Sequence, residues 1–332
     1  MEDFLKDLKH SIRDPSSILN QINNQSIGFP EQLITTKNHS FPLLVPHSFF
    51  QRLDRDKAPL EVWNQYLIHE KEFKHDKGMI DPINDEGFLA APQIIHRYHN
   101  RVLFLLNSNC PIHCRYCFRK NEFSQKKSLF GKNFSQSLDY LYEHTEIEEL
   151  IFTGGDPLMV DNATIENYLN EFQKIPHLKY IRFHTRVPVI TPSRINNDFI
   201  NLISNNSNKF HKIIICLHVN HAWELKNSLV EETIKKLTQI NNCELLSQSV
   251  LLKNVNNDPL VLAELFRTLS DLRINPYYLH HPDQVKGAMH FYLSEQIGNE
   301  IFQSVRQLVP GWMLPRYIKD NPKISSKEQL QY

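Results

Sequence analysis

The chain is short of glycine, with nine in 332 residues, and has only five cysteines and three tryptophans. Five cysteines, three of them clustered, do not make a disulfide framework and read as reduced thiols. No apolar run approaches the length that spans a bilayer. The first residues, Met1-Glu2-Asp3-Phe4-Leu5-Lys6, lack the basic and apolar regions of a signal peptide, so the expectation is a cytoplasmic protein with no membrane partner. Neither charge sign is in excess, with 37 Lys+Arg against 37 Asp+Glu, so no global field points to nucleic acid. In so glycine-poor a chain, an adjacent pair such as Gly154-Gly155 implies a close backbone approach or a positive-φ turn.

What is present is regular. Apolar, β-branched or aromatic runs at 102–107, 149–153, 180–185, 212–219, 245–252 and 276–281 read as six strands. Helix-length segments separate them. Asp161 caps one carrying Ile165, Tyr168, Leu169 and Phe172, and Asp258-Pro259 starts another with Leu262, Leu265, Phe266 and Leu269. Pro192-Ser193 is expected to open a helix with Phe199, Ile200 and Ile203, and Ser228 to cap a fourth through a box with Glu231. Strands alternating with helices imply right-handed βα units and a parallel sheet, open or partly barrelled, with ligands at the carboxyl ends of the strands. The expected division is a helical N-terminal extension over 1–100, an α/β unit over 101–290, and a C-terminal helix (about 293–308) and tail over 291–332.

Three cysteines follow the first strand at Cys-x3-Cys-x2-Cys spacing: Cys110, Cys114 and Cys117. Structural zinc wants four ligands, usually in two pairs, and no second pair lies nearby. A Cys114–Cys117 dithiol leaves Cys110 unexplained. A [4Fe–4S] cluster held by three thiolates keeps one iron open for a ligand, the reading favoured here. Cys216 and Cys243 read as small core residues.

This spacing, after the first strand of a sixfold βα repeat, resembles the radical S-adenosylmethionine (SAM) superfamily. Arg97-Tyr98-His99-Asn100-Arg101, Cys114-Arg115-Tyr116-Cys117-Phe118-Arg119, Phe152-Thr153-Gly154-Gly155-Asp156-Pro157-Leu158, Gln248-Ser249-Val250-Leu251-Leu252 and Tyr277-Tyr278-Leu279 narrow the resemblance to lysine 2,3-aminomutases. The short chain is similar to the branch that makes β-lysine for modification of elongation factor P.

The resemblance implies a partial (β/α)6 barrel with an N-terminal helical extension and a C-terminal tail acting as a lid. It implies a [4Fe–4S] cluster on Cys110, Cys114 and Cys117, SAM on its open iron, and pyridoxal 5′-phosphate (PLP). Gly154, Gly155 and Asp156 would face the SAM amino group, or Asp156 would cap the next helix. Arg97 and Arg101 would hold the PLP phosphate, which suits guanidinium chemistry. Gln248 would touch SAM or PLP, Arg119 the substrate carboxylate, and Asp283 a substrate amino group. PLP needs a lysine, and aligning the terminal Gln329-Leu330 places Lys323 there, with Lys319 and Lys327 as alternatives. The acid expected several residues before that lysine has no clean match, because Asp320 stands too close to Lys323. The implied partners are L-lysine, a flavodoxin- or ferredoxin-type reductant, the elongation factor P pathway with its β-lysine ligase, and a possible second copy of the chain. Two rival readings are another radical SAM enzyme without PLP and a non-catalytic protein stapled by a cluster or zinc.

Overall fold

The computed structural model describes residues 1–18, 41–74, 76–121, 133–324 and 326–330. Six strands form its centre: β3 (Arg101–Asn107), β4 (Glu149–Gly154), β5 (Tyr180–Thr185), β6 (Lys212–His218), β7 (Cys243–Val250) and β8 (Asn275–His280). All five neighbouring pairs among them are parallel. The sheet continues at both ends. β1 (Leu89–Ala91) and β2 (Ile94–Tyr98) add antiparallel before β3. β9 (Arg316–Lys319) joins β8 in parallel, and β10 (Glu328–Gln329) turns back on β9. The strand order is the chain order, the signature of repeated right-handed βα units. A single sheet therefore crosses both 100/101 and 290/291.

Among the described residues, helices of eight or more residues are α1 (Glu2–Lys9), α2 (His47–Arg55), α3 (Phe134–Glu143), α4 (Asn162–Phe172), α5 (Asn197–Ser207), α6 (Ser228–Thr238), α7 (Pro259–Asp271) and α8 (Glu295–Leu308). Asp161 and Asp258 cap α4 and α7 through their carboxylates, as expected. Two starts differ from expectation. Pro192–Arg194 forms a separate 3-10 turn, and Asn196 caps α5 by accepting from the Phe199 N–H. Asn227, not Ser228, caps α6, accepting from the Leu229 N–H. An Asn one residue earlier supplies the same acceptor, so Ser228 becomes the first helical residue. In α1, Phe4 is buried and Leu5 beside it is 55% exposed.

Strand alternation sorts side chains into two layers. Val102, Phe104 and Leu106, then Leu150 and Phe152, Ile181 and Phe183, and Ile213, Ile215 and Leu217 join the core under the helices. Register aligns Phe104 with Phe152 and Phe152 with Phe183. The second pair stacks at 4.8 Å between ring centroids. Such a row of aromatics pins strand register, because a one-residue slip would turn it to the other face. The alternate residues, among them Leu103, Ile151, Thr153, Arg182, His184, His218 and Gln248, line a cavity inside the curved sheet. Cys216 is fully buried and Cys243 packs against the main core. A second core, containing Phe49, Phe50, Val62, Trp63 and Tyr66, joins the N-terminal segment to Ile112 and Ile190. Cys114 packs against this core, so the early residues support the cysteine loop. Among the described residues no helix is long and apolar enough to cross a membrane.

Candidate active site: one cavity with a thiol wall and a charged wall

The cavity measures about 290 Å³ and runs inside the curved sheet, from Arg101 at the start of β3 to Gly154, Asp156 and His218 at the carboxyl ends of the strands. Its lining includes Cys110, Cys114, Cys117, Arg97, Arg101, Arg119, Gly154, Gly155, Asp156, Gln248 and Asp283. The sequence expectation named each of these. Lys323 is absent from the lining, and Lys327 is present.

The thiol wall is built on backbone contacts. Gly155 N–H donates to Asn107 O, and Asp156 N–H to Asn109 O, both at 2.7 Å. The Asn107 side chain returns a bond to Asp156 O at 2.8 Å. Gly154 has φ +121, and a Cβ there would lie 2.3 Å from Asn107 O. A Cβ on Gly155 would lie 2.1 Å from Asn109 O. The glycine pair thus brings the β4 turn against the loop that leads into Cys110. Asp156 does act as a cap. Its carboxylate accepts from Leu158 N–H at 3.0 Å, the Thr185 hydroxyl at 2.7 Å and Arg186 N–H at 2.7 Å. Burial pushes its pKa up, against these bonds.

The three thiols suit a cluster. Burial, then neighbouring thiolates, pushes Cys117 up to about 12 and Cys110 well above the ordinary thiol range. Three thiolates on one wall need a cationic centre, which cluster iron supplies. Donors for the thiolate state are in place. The Arg119 backbone N–H serves Cys117, and Arg186 Nη1 lies 2.8 Å from Cys114 Sγ. Arg186 also bonds Gln65 Oε1 at 3.0 Å and the Tyr66 hydroxyl at 2.6 Å, and pairs with buried Glu224. Burial opposes its charge, but Cys114 and Glu224 outweigh this and raise the guanidinium pKa.

The charged wall is built by the tail. β9 and β10 pair with Glu328 opposite Lys319 and Gln329 opposite Ile318. Continued by one residue, that register sets Lys327 opposite Asp320. Their side chains meet at 2.6 Å. Lys323 falls at the tip of the connecting turn, where it is exposed, and its N–H is held by Asn321 Oδ1. This corrects the expectation that Lys323 faces the site: a hairpin register, not distance from the chain end, decides which lysine turns inward. Leu330 anchors the turn, buried in the main core with its N–H on Tyr317 O.

Asp320 also meets Arg97 at 3.4 Å, the Tyr98 hydroxyl at 3.2 Å and His280 at 3.5 Å. Burial would raise its pKa, but His280 and Lys327 hold it well below the usual carboxylate range. Arg97 donates in addition to the carbonyls of Asn321 and Ile324, which straps the tail to β2. Arg101 lies over the Tyr98 ring, 4.2 Å from its centroid. Asp283 behaves oppositely to Asp320. Burial, then the charge of Asp320, raises it to about 7, so it readily takes up or loses a proton near neutrality.

Arg119 is held by a residue the sequence did not flag. Asp85 Oδ2 accepts from its Nε at 2.8 Å and its Nη2 at 2.7 Å, both side chains being buried. Asp85 follows a positive-φ Asn84 in an irregular segment, and nothing in the local pattern marks it as buried. His184 lines the cavity as well. Burial drives its pKa well below normal, and its buried Nε2 has no partner among the described residues.

Comparison with known proteins agrees with this geometry. Residues 100–185 match the family model described as a 4Fe-4S single cluster domain. L-lysine 2,3-aminomutase of Haemophilus influenzae is 33% identical over 96% of this chain and 93% of its own length. The chain belongs to the lysine 2,3-aminomutase family. The Buchnera aphidicola member is 34% identical over 98% of this chain and 94% of its own. The Escherichia coli member is 33% identical over 99% and 94%.

Proposed function

We propose that this chain is a radical SAM, PLP-dependent isomerase that moves the amino group of L-lysine from the α- to the β-carbon. The observation that carries this reading is the shared cavity, with three cysteines on one wall and Lys327, Asp320 and Asp283 on the other. Cys110, Cys114 and Cys117 would hold the cluster. Lys327 would hold PLP, in preference to Lys323, because it lines the cavity and Lys323 does not. Bound together, these groups supply a SAM-derived radical that removes a hydrogen atom and a carbonyl carrier for the migrating nitrogen.

The chain's own residues orient and shield. Arg97 and Arg101 present guanidinium groups for a phosphate, and Arg119 one for the substrate carboxylate. Gln248, near the end of β7, lines the same cavity as a neutral contact for SAM or PLP. Gly154, Gly155 and Asp156 shape the turn on the SAM side. Asp283 and Asp320 supply carboxylates for a substrate ammonium. With Lys327 as the PLP lysine, an acid stands seven residues before it, at Asp320, and the mismatch found when Lys323 was aligned disappears. That acid supports free L-lysine as substrate. The tail strap excludes water from the reacting atoms.

The finer reading is β-lysine for modification of elongation factor P in the cytoplasm. A flavodoxin- or ferredoxin-type protein would be the electron source, a β-lysine ligase the next enzyme, and a homo-oligomer is compatible. It rests on the resemblance of the short chain to that branch. The test is anaerobic incubation of reconstituted protein with L-lysine, SAM, PLP and reductant. β-Lysine in the chromatogram is expected. SAM cleavage without β-lysine, or protein that retains no PLP, would favour a radical SAM enzyme of another kind. Zinc with no acid-labile sulfide would favour a stapled, non-catalytic protein.

A further inference from the structure

A second group of metal-ligating side chains lies outside the cavity. On β2, Ile95 and Arg97 face the cavity, so alternation turns Ile94 and His96 the other way, toward α3. There His96 meets His144, the residue just after α3, and Glu146, two residues on. One ligand atom from each lies within 4.8 Å of the others.

Each ligand sits on fixed backbone. His144 N–H donates to Tyr140 O and Ile147 N–H to His144 O, both at 3.1 Å, so 144–147 is a closed turn. Glu148 and Glu149 N–H both donate to Asn100 O, tying that turn to the β2–β3 connection. The rings are oriented too. His96 Nδ1 lies 2.7 Å from the Tyr140 hydroxyl and its Nε2 lies 3.4 Å from the His99 carbonyl, and Tyr140 stacks on His144 at 4.0 Å. With Nδ1 held by Tyr140, an ion would bind His96 through Nε2 in exchange for its longer contact with His99, and a hydrogen bond to the other ring nitrogen is the usual outer-shell arrangement of metal-binding histidines. His144 Nδ1 and Glu146 Oε1 are paired at 2.8 Å. Tetrahedral zinc needs ligand atoms about 3.3 Å apart, given bonds of about 2.0–2.1 Å. Half-exposed His144 and Glu146 can reach this by small side-chain rotations.

We propose that His96, His144 and Glu146 form a binding site for a divalent borderline transition ion, zinc being the reference, with water completing the coordination. Two imidazoles and one carboxylate select zinc, cobalt or nickel over magnesium or calcium. The ion would clamp β2 to the end of α3, one residue from Arg97 and behind the phosphate-facing wall of the cavity. The site does not depend on the reaction assigned above.

The test uses the full chain with its cluster in place, so that the thiols are occupied. The protein is equilibrated anaerobically with zinc chloride in a competing chelator buffer, and zinc, iron and sulfide are counted together. One zinc per chain is expected with iron unchanged. His144→Ala and Glu146→Gln should weaken zinc binding by about tenfold or more, and Tyr140→Phe by about tenfold. Zinc should raise the melting temperature of the wild type and not of His144→Ala, which removes only a half-exposed ring. Three results would overturn the proposal: no zinc retained, zinc gained only as iron is lost, or equal binding by wild type and His144→Ala.

Discussion

The two walls of the cavity are held by different physics. The thiol wall rests on main-chain hydrogen bonds and on two glycines that admit no side chain. The charged wall rests on side-chain pairs made by a two-strand tail: Lys327 with Asp320, and Arg97 with the tail. Backbone packing fixes a position whether or not a ligand is present. Charge pairs can exchange partners, so Lys327 can leave Asp320 for a cofactor, and Asp320 can then take a substrate ammonium. The rigid wall suits a permanent cluster, and the exchangeable wall suits ligands that come and go.

The sharpest way to break this contrast is at the two ends. Cys114→Ala should abolish cluster assembly, and Lys327→Ala should leave a loaded cluster but drop β-lysine formation to background. If Lys327→Ala also lost iron, the walls would not be independent. Next in size, Gly155→Ala drives a Cβ into the Asn109 carbonyl, where backbone and not a flexible side chain must yield. A stability loss on the order of 2–3 kcal/mol and a severalfold drop in iron content are expected, read by denaturant unfolding and iron assay. Asp85→Ala removes the bidentate carboxylate that holds buried Arg119, at a cost of about 3 kcal/mol. Its lysine KM should rise more than its SAM KM.

A smaller effect comes from Asp283. Its pKa near 7 exceeds the unfolded value near 4. Below about pH 4 both states hold the proton and the contribution is complete. Between about pH 4 and 7 the unfolded chain loses that proton first, so stability falls as pH rises toward 7. Melting of the cofactor-free protein should lose on the order of 2 kcal/mol from pH 5 to pH 7 through this group, and Asp283→Asn should flatten that slope. Smallest of all is Lys323→Ala. At the exposed tip of the tail turn it should change activity by no more than about twofold.

How much of this was legible in the sequence follows the same divide. All six central strands could be read from β-branched and aromatic runs, because each packs one face under a helix. Cys110, Cys114 and Cys117 were legible because a cluster loop carries its ligands a few residues apart. The glycine pair could be read as a close approach, but its partner, Asn107–Asn109, could not. Residues that act across long separations were hidden. Asp85 reaches Arg119 from an irregular turn. Lys327 was one of three candidate lysines, and only the register of a two-residue strand turns it inward. The two displaced helix starts reflect a choice among neighbouring polar residues, which local pattern leaves nearly degenerate.

The claim that Lys327 closes the far wall has a direct chemical readout. Cluster-loaded protein is equilibrated with PLP, reduced with borohydride to fix the cofactor on its lysine, digested, and mapped by mass spectrometry. The account predicts a single phosphopyridoxyl group on Lys327, unchanged in Lys323→Ala. A label on Lys323 that disappears in Lys323→Ala would contradict it.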